Sequence, residues 1–389
     1  MPNGGKFLNA RSKIYFRAKT DRLGRIDIPL AVVTVGLLAF GVLMVYSASM
    51  YNAEVNYGNE YFFMYKQIFG CVGGVMAMFA MTLLDYRKLV KARFVVIGIS
   101  IGLLALVLIP GIGVENYGAR RWLNLGIMTL QSSEVAKIGY VIFAAAYMSK
   151  NSEKMTTVRG WLPLIAVGGL ICLLIMLEPN MSVTMCVAFT MLLLMLIGGM
   201  RIKHMALLCI PLAALVVVLI IAEPYRLARL FAFLDPWSSP LEEGYQLLQS
   251  YYGLGSGGLF GVGLFNSRQK YLFLPFSESD FIFSIIGEEL GLIGCTLVIV
   301  AFCFMIYRLI VIAQNAADRF GCYLSAGMAV LIGVQVLINI AVVTGCIPPT
   351  GIPLPFVSSG SSALITFSGG IGMCQSVRLG SHASVRALI

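Results

Sequence analysis

About ten apolar runs, each near 20 residues long and separated by short polar segments, constrain this chain more than any other feature. Runs of that length are what a ~30 Å hydrocarbon layer selects. A backbone inside such a layer must satisfy its own N–H and C=O groups, so each run is expected to be helical. The runs fall at 27–48, 61–84, 93–110, 131–149, 160–178, 181–200, 205–222, 282–306, 320–344 and 361–378. With 59% hydrophobic and 12% charged residues, the chain carries about half the charge of a soluble domain, which is typically ~25% charged. The expected fold is an all-α polytopic membrane protein of about ten transmembrane helices, with one large outer loop between helices 7 and 8.

Basic residues set the orientation, because cytoplasmic loops retain Lys and Arg. An inside N-terminus places 20 of the 28 Lys and Arg on the inner side, seven of them in the tail from Lys6 to Arg25. An even number of spans then returns the C-terminus to the cytoplasm. The organisation expected is a basic tail over 1–26, a membrane domain over 27–378 and a C-terminal tail over 379–389. The tail leads into a full-length span without a small-residue cleavage site, so it reads as retained. The net charge of +10 follows this topological pattern and gives no sign of a nucleic-acid partner. Nine cysteines lie in or beside the apolar runs and read as small buried hydrophobes. The two histidines, His204 and His382, sit beside inner basic segments, so no Cys/His metal site can be assembled.

Chemistry is expected on the outer face, where the segment from about 223 to 281 is long, aromatic and glycine-rich. Asp280 closes that segment, immediately before an apolar run. There it can act as an N-cap, as a proton acceptor, or as both. Glu288 and Glu289 follow about 12 Å further along a helix, as supporting groups. Glu134 and Lys137 stand three residues apart at membrane depth, on one helical face. A charge there costs at least ~2.5–3.5 kcal/mol unpaired, so they should pair, either as a structural brace or facing a polar cavity. Arg120, Arg121, Arg268 and Lys270 are outer cations that run against the topological bias. They suit a phosphate or diphosphate headgroup, or else form solvated surface. Ser358 and Ser361, after the proline-rich stretch 348–355, lead into the last span. Their hydroxyls and the free N–H groups there read either as an anion site or as a rigid turn.

Gly118–Leu123, Gln131–Lys137, Glu178–Asn180, Asp235-Pro236, Gly244–Gln249, Ser267–Asp280, Gly287–Gly291 and Thr350–Ser362 together resemble the shape, elongation, division and sporulation (SEDS) family. Its members include FtsW, RodA and SpoVE, and the stretches 244–250 and 266–271 look like the division and sporulation branch. The resemblance implies a peptidoglycan glycosyltransferase of the bacterial cytoplasmic membrane that polymerises lipid II at the outer face, in division, cell-shape or spore-wall synthesis. It assigns Asp280 as the essential carboxylate and Glu134–Lys137 as an intramembrane ion pair. It also implies a class B penicillin-binding protein, a transpeptidase, as partner. The chain departs from the family pattern at Ser132 (usually Pro), at Asn180 (usually acidic) and at Ser359-Gly360 (usually Tyr-Gly nearby). Before Asp280 it reads Pro-Phe-Ser-Glu-Ser, where the family usually has Pro-Glu-Pro-His-Thr.

The expected reaction is an inverting glycosyl transfer with Asp280 as base, and with Arg120, Arg121, Arg268 or Lys270 steadying the departing undecaprenyl diphosphate. No cofactor motif is evident, and a shared role for a divalent cation (Mg or Mn) stays open. Two rival readings are a lipid II flippase, which paired intramembrane charges also suit, and a non-catalytic scaffold of the division machinery.

Overall fold

The computed structural model describes residues 26–116, 119–126, 128–221 and 224–386. Residues 1–25 of the expected tail (1–26), Gly118 and the side chains beyond 380 lie outside the described set. Twelve α-helices are present among the described residues. They are α1 (Ile28–Tyr57), α2 (Phe62–Leu83), α3 (Arg87–Val107), α4 (Ser132–Asn151), α5 (Val158–Leu177), α6 (Met181–Ile197), α7 (Ile202–Ile221), α8 (Pro224–Leu234), α9 (Tyr245–Gly257), α10 (Ile282–Gln314), α11 (Arg319–Val343) and α12 (Ser361–Arg386). Each expected span coincides with one of them, and α12 runs past the expected end at 378. Six (α1, α2, α3, α5, α10 and α11) are long and apolar enough to cross a membrane by length and composition, and α6 is a shorter apolar helix. One element departs from the all-helical expectation. An antiparallel sheet of β1 (Gly113–Asn116), β2 (Ala119–Asn124) and β3 (Thr129–Gln131) fills the connection from α3 to α4. It pairs the backbone polar groups of a segment that neighbouring helices could not satisfy.

Caps and ion pairs fix one end of the bundle. Asp27 caps α1 by accepting from Leu30 N at 3.1 Å. Arg308 of α10 grips the same carboxylate at 2.5 and 3.1 Å. Gln375 of α12 completes the junction, accepting from Asp27 N at 2.8 Å and donating to Asp27 O at 2.9 Å. Asp318 caps α11 through Gly321 N (2.8 Å) and takes a 2.5 Å bond from Tyr86 Oη. Because Asp27 and Asp318 mark the same end, helical rise gives the depth of the rest. Ser47 on α1 and Asn339 on α11 each stand about 30 Å from that end at ~1.5 Å per residue. That matches the hydrocarbon thickness.

The opposite end is built on a broken helix. Within α10, Gly291 adopts φ 66°, ψ −164°, a conformation that glycine alone tolerates easily. The segment 258–263 lies against the break and pairs the backbone groups around it. Val262 N and Gly263 N donate to Glu288 O and Glu289 O (2.9 and 3.0 Å), and Leu292 N and Ile293 N donate to Gly258 O and Leu259 O (2.9 and 3.2 Å). The two carboxylates at the break pin the following turn. Glu288 accepts from Arg268 N at 2.8 Å, Gln269 N at 3.3 Å and Ser267 Oγ. Glu289 accepts from Ser47 Oγ at 2.6 Å and from Lys270 Nζ at 3.5 Å. The segment 258–270 is therefore a folded insert stapled to α1 and α10.

A Cβ at Gly291 would sit 2.4 Å from Gly261 N and 2.5 Å from Leu259 O. Gly291→Ala is expected to cost at least ~2 kcal/mol, from the left-handed backbone and the clash together. Gly255→Ala, at an exposed position in α9 where a Cβ meets open space, is instead expected to gain ~0.5–1 kcal/mol from helix propensity. Thermal unfolding in detergent micelles compares the two.

Candidate active site

Asp280 occupies the last turn before α10. It is not the cap: Phe281 holds that position, with no side-chain bond to the helix. What fixes Asp280 is a second non-helical segment, 344–360. Asn339 of α11 donates to Asp280 O at 2.8 Å and to Ile352 O at 2.7 Å. Ser358 Oγ donates to Ser279 O at 2.5 Å while accepting from Leu354 N at 2.8 Å. Ser359 N donates to Glu278 O at 2.9 Å. From α2, Gln67 reaches the carbonyls of Val357 and Ser358 at 3.3 and 3.2 Å. Gly351 passes so near that a Cβ there would meet Asp280 Oδ2 at 2.8 Å. The backbone carrying Asp280 is thereby held at three consecutive carbonyls, and the residue as a whole is only partly buried.

Burial among these segments raises the Asp280 pKa to about 7, with Glu278 adding to the rise. Burial also raises Glu278 itself. Arg121 and Arg229 oppose the shift at Asp280 and are the cations whose charge reaches it. Arg121 extends from β2 and donates to Glu178 O at 3.1 Å and Pro179 O at 2.5 Å. Arg229, on α8, contacts Glu243 at 3.7 Å and Pro349 O at 3.5 Å. A carboxyl near pH 7 beside two guanidinium groups can accept a proton from an alcohol, and the same guanidinium groups can offset a nearby anionic leaving group.

Glu134 and Lys137 do pair, at 2.8 Å and with side chains 0% and 1% exposed. Lys137 Nζ also donates to Gln335 Oε1 at 2.6 Å and lies 5.1 Å from the Phe367 ring centre. Gln335 in turn donates to Pro353 O at 2.9 Å. Both side chains of the pair are enclosed by protein. Gln335 and Asn339 are four residues apart on α11, hence on one face. Through them the ion pair supports the 350–353 backbone, and that backbone meets Asp280.

The other expected site residues are committed to contacts within the protein or stand exposed. Arg120 pairs with Glu115 at 3.0 Å on the exposed sheet. Arg268 is exposed, with its backbone N–H committed to Glu288. Lys270 is buried between Glu289 and Phe265 O, so it braces the 258–270 insert and does not present its ammonium to a ligand. Ser358 and Ser361 spend their hydroxyls on Ser279 O and on Lys66 O (3.1 Å), tying loops where an anion site was one expectation. Sequence reasoning missed Arg229, Gln335 and Asn339. The two amides interrupt an apolar span at i, i+4 spacing, a signal available in the sequence. Two departures noted above also have local reasons. Ser132 donates to Glu178 at 2.9 Å, and Asn180 caps α6 through Val183 N at 3.2 Å. Among the described residues, no group of three or more His, Cys, Asp or Glu is placed to hold a metal.

The fold and site define a polytopic helical membrane protein with a carboxylate fixed just before α10 and within the electrostatic reach of Arg121 and Arg229. The family model described as "Cell cycle protein", which covers FtsW, RodA and SpoVE, matches residues 29–382, and the chain belongs to that family. It is 38% identical to stage V sporulation protein E of Bacillus subtilis over 352 residues, spanning 90% of this chain and 96% of the relative. It is 36% identical over 380 residues to the probable peptidoglycan glycosyltransferase FtsW of Saccharophagus degradans, spanning 96% and 97%. Among solved structures it resembles a chain of "Structural coordination of polymerization and crosslinking by a peptidoglycan synthase complex" (TM-score 0.76, 26% identity, 91% and 98% covered). It also shares the fold of the rod shape determining protein RodA of Thermus thermophilus (TM-score 0.67, 24% identity, 91% and 97% covered).

Glu134→Gln would leave Lys137 as an uncompensated buried cation, an error costing ~3–5 kcal/mol. The double variant Glu134→Gln/Lys137→Met is expected to recover more than half of that loss. Chemical unfolding monitored by intrinsic fluorescence measures both.

Proposed function

We propose that this protein is a peptidoglycan glycosyltransferase that polymerises lipid II at the outer surface of the cytoplasmic membrane, with Asp280 as general base. The observation that carries this reading is a carboxyl tuned to about 7, clamped about 30 Å from the Asp27 end and beside Arg121 and Arg229. Support for the activity comes from the relatives named for it. The basic residues concentrated at the Asp27 end support taking the Asp280 end as the outer one.

In the reaction, an acceptor sugar hydroxyl attacks the anomeric carbon of a lipid-linked donor. The new C–O bond forms as the bond to the diphosphate breaks, inverting the centre. Asp280 takes the hydroxyl proton as the oxygen becomes nucleophilic, a contribution of typically ~10²–10⁴ in rate. Arg121 and Arg229 compensate charge developing on the departing undecaprenyl diphosphate. A Mg or Mn ion would be held chiefly by diphosphate oxygens, since such ions keep few protein ligands at phosphate sites. The carbonyl clamps on residues 278–280 keep the base from swinging away between turnovers. A class B penicillin-binding protein is the partner this reading implies, consistent with the synthase complex among the structural relatives. The enclosed Glu134–Lys137 pair acts as a brace for the site, in place of a step in a lipid translocation path.

Purified Asp280→Asn protein is expected to lose at least ~10²-fold in lipid II polymerisation while keeping wild-type thermal stability; activity near wild type would remove Asp280 from the mechanism. For the wild-type enzyme, the base works only when ionised. Activity should therefore rise with pH through about 7, the Asp280 pKa, and level off above it. Glu278→Gln removes a repulsion, so the rising limb should move to lower pH. Arg121→Gln should move it higher. Initial rates across pH 5.5–9 test the sign of each shift.

A further inference from the structure

Away from Asp280, the structure contains a recess of about 320 Å³ at the opposite end of the bundle. Phe94 of α3, Phe143 and Tyr147 of α4 and Pro163 of α5 form its walls, and Arg93 and Lys150 stand with them. Arg93 and Pro163 lie six and five residues from the starts of their helices, and Lys150 is in the last turn of α4. At ~1.5 Å per residue this places all three within about 10 Å of the bundle end, the depth of a phospholipid headgroup and the first carbons of its chains. Phe94 is 63% exposed, and so are its neighbours Val95 (64%) and Leu162 (53%). The recess therefore opens sideways, toward lipid. Arg93 is oriented by two contacts, a 2.8 Å bond to Val90 O and a guanidinium 4.4 Å from the Phe94 ring centre.

Apolar walls with two cations at headgroup depth match an amphiphile with an anionic head. We infer that this recess is a binding site for an anionic glycerophospholipid of the inner leaflet, its phosphate between Arg93 and Lys150 and its proximal acyl carbons against Phe94, Phe143, Tyr147 and Pro163. The chain's basic residues make the complementarity specific to anionic heads: each Lys or Arg near such a surface contributes ~1 kcal/mol, or about fivefold in affinity. A zwitterionic phosphatidylcholine loses that contribution, because its choline stands beside the same cations. The assignment of leaflet rests on the orientation proposed above; the site itself does not. Filled, it would wedge a lipid between α3 and α5 against α4, the helix that carries Glu134 and Lys137.

The test is photolabelling in nanodiscs, whose two leaflets are equivalent, so the outcome is independent of orientation and of polymerase activity. Trace phosphatidylglycerol with a photoreactive group near the carboxyl end of one acyl chain is compared with the matching phosphatidylcholine, and labelled peptides are mapped by mass spectrometry. With two such cations, phosphatidylglycerol is expected to label the peptides bearing Phe94 and Tyr147 about 25-fold more than phosphatidylcholine. Lys150→Gln, an exposed position, should lower that ratio about fivefold and Arg93→Gln/Lys150→Gln should abolish it, whereas Arg201→Gln at the same end should leave it unchanged. Equal labelling by the two lipids, or a preference that survives the double substitution, overturns the inference. So does displacement by equimolar undecaprenyl diphosphate where a tenfold excess of unlabelled phosphatidylglycerol fails, which would make the recess a substrate site.

Discussion

A backbone that leaves helical geometry near a membrane must have its N–H and C=O groups satisfied from within the protein. Two such segments, 258–281 and 344–360, meet at the end of this bundle opposite Asp27, and that requirement shapes everything around Asp280. The first segment gains its partners by breaking α10 at Gly291 and bonding across the break. The second gains its partners from side chains on α2 and α11. Because each segment also bonds to the other, Asp280 lies at a junction where neither can shift alone.

This junction explains why polar and charged residues far from the reacting atoms are buried here at all. The Glu134–Lys137 pair, Gln335 and Asn339 are costly in an apolar bundle. Together they form a continuous path of bonds from α4 through α11 to the 350–353 backbone and the carbonyl of Asp280. Lys270 and Glu289 make an equivalent brace under the 258–270 insert. Both braces are neutral as pairs, which leaves the electrostatics of Asp280 to Glu278, Arg121 and Arg229. Rigidity and charge tuning are thus assigned to different residues.

Much of this was legible in the sequence. The spans follow from apolar runs, because a run of about 20 apolar residues crosses lipid as a helix. The Glu134–Lys137 contact follows from three-residue spacing on one face. Asp280 stood out as a carboxylate against the start of an apolar run. What failed was any inference that needed the loop's own fold. Lys270 looked available for a ligand, since nothing in its neighbourhood announces Glu289, nineteen residues away in sequence and brought to it by the chain's return along α10. Of the two readings of Ser358 and Ser361, an anion site and a rigid turn, the turn fits hydroxyls that bond to carbonyls of distant segments. Arg229 was passed over because its nearness to Asp280 arises only when α8 packs beside the proline-rich segment.

The central claim is that Asp280 receives the acceptor's proton while cations on the same face meet the diphosphate. A structure of the protein with an unreactive donor analogue and an acceptor glycan tests it most directly. The account predicts the acceptor hydroxyl within hydrogen-bonding reach of an Asp280 oxygen, at about 2.6–3.2 Å, with the donor diphosphate toward Arg121 and Arg229. Both sugars bound with Asp280 turned into protein and no hydroxyl near it would contradict the account.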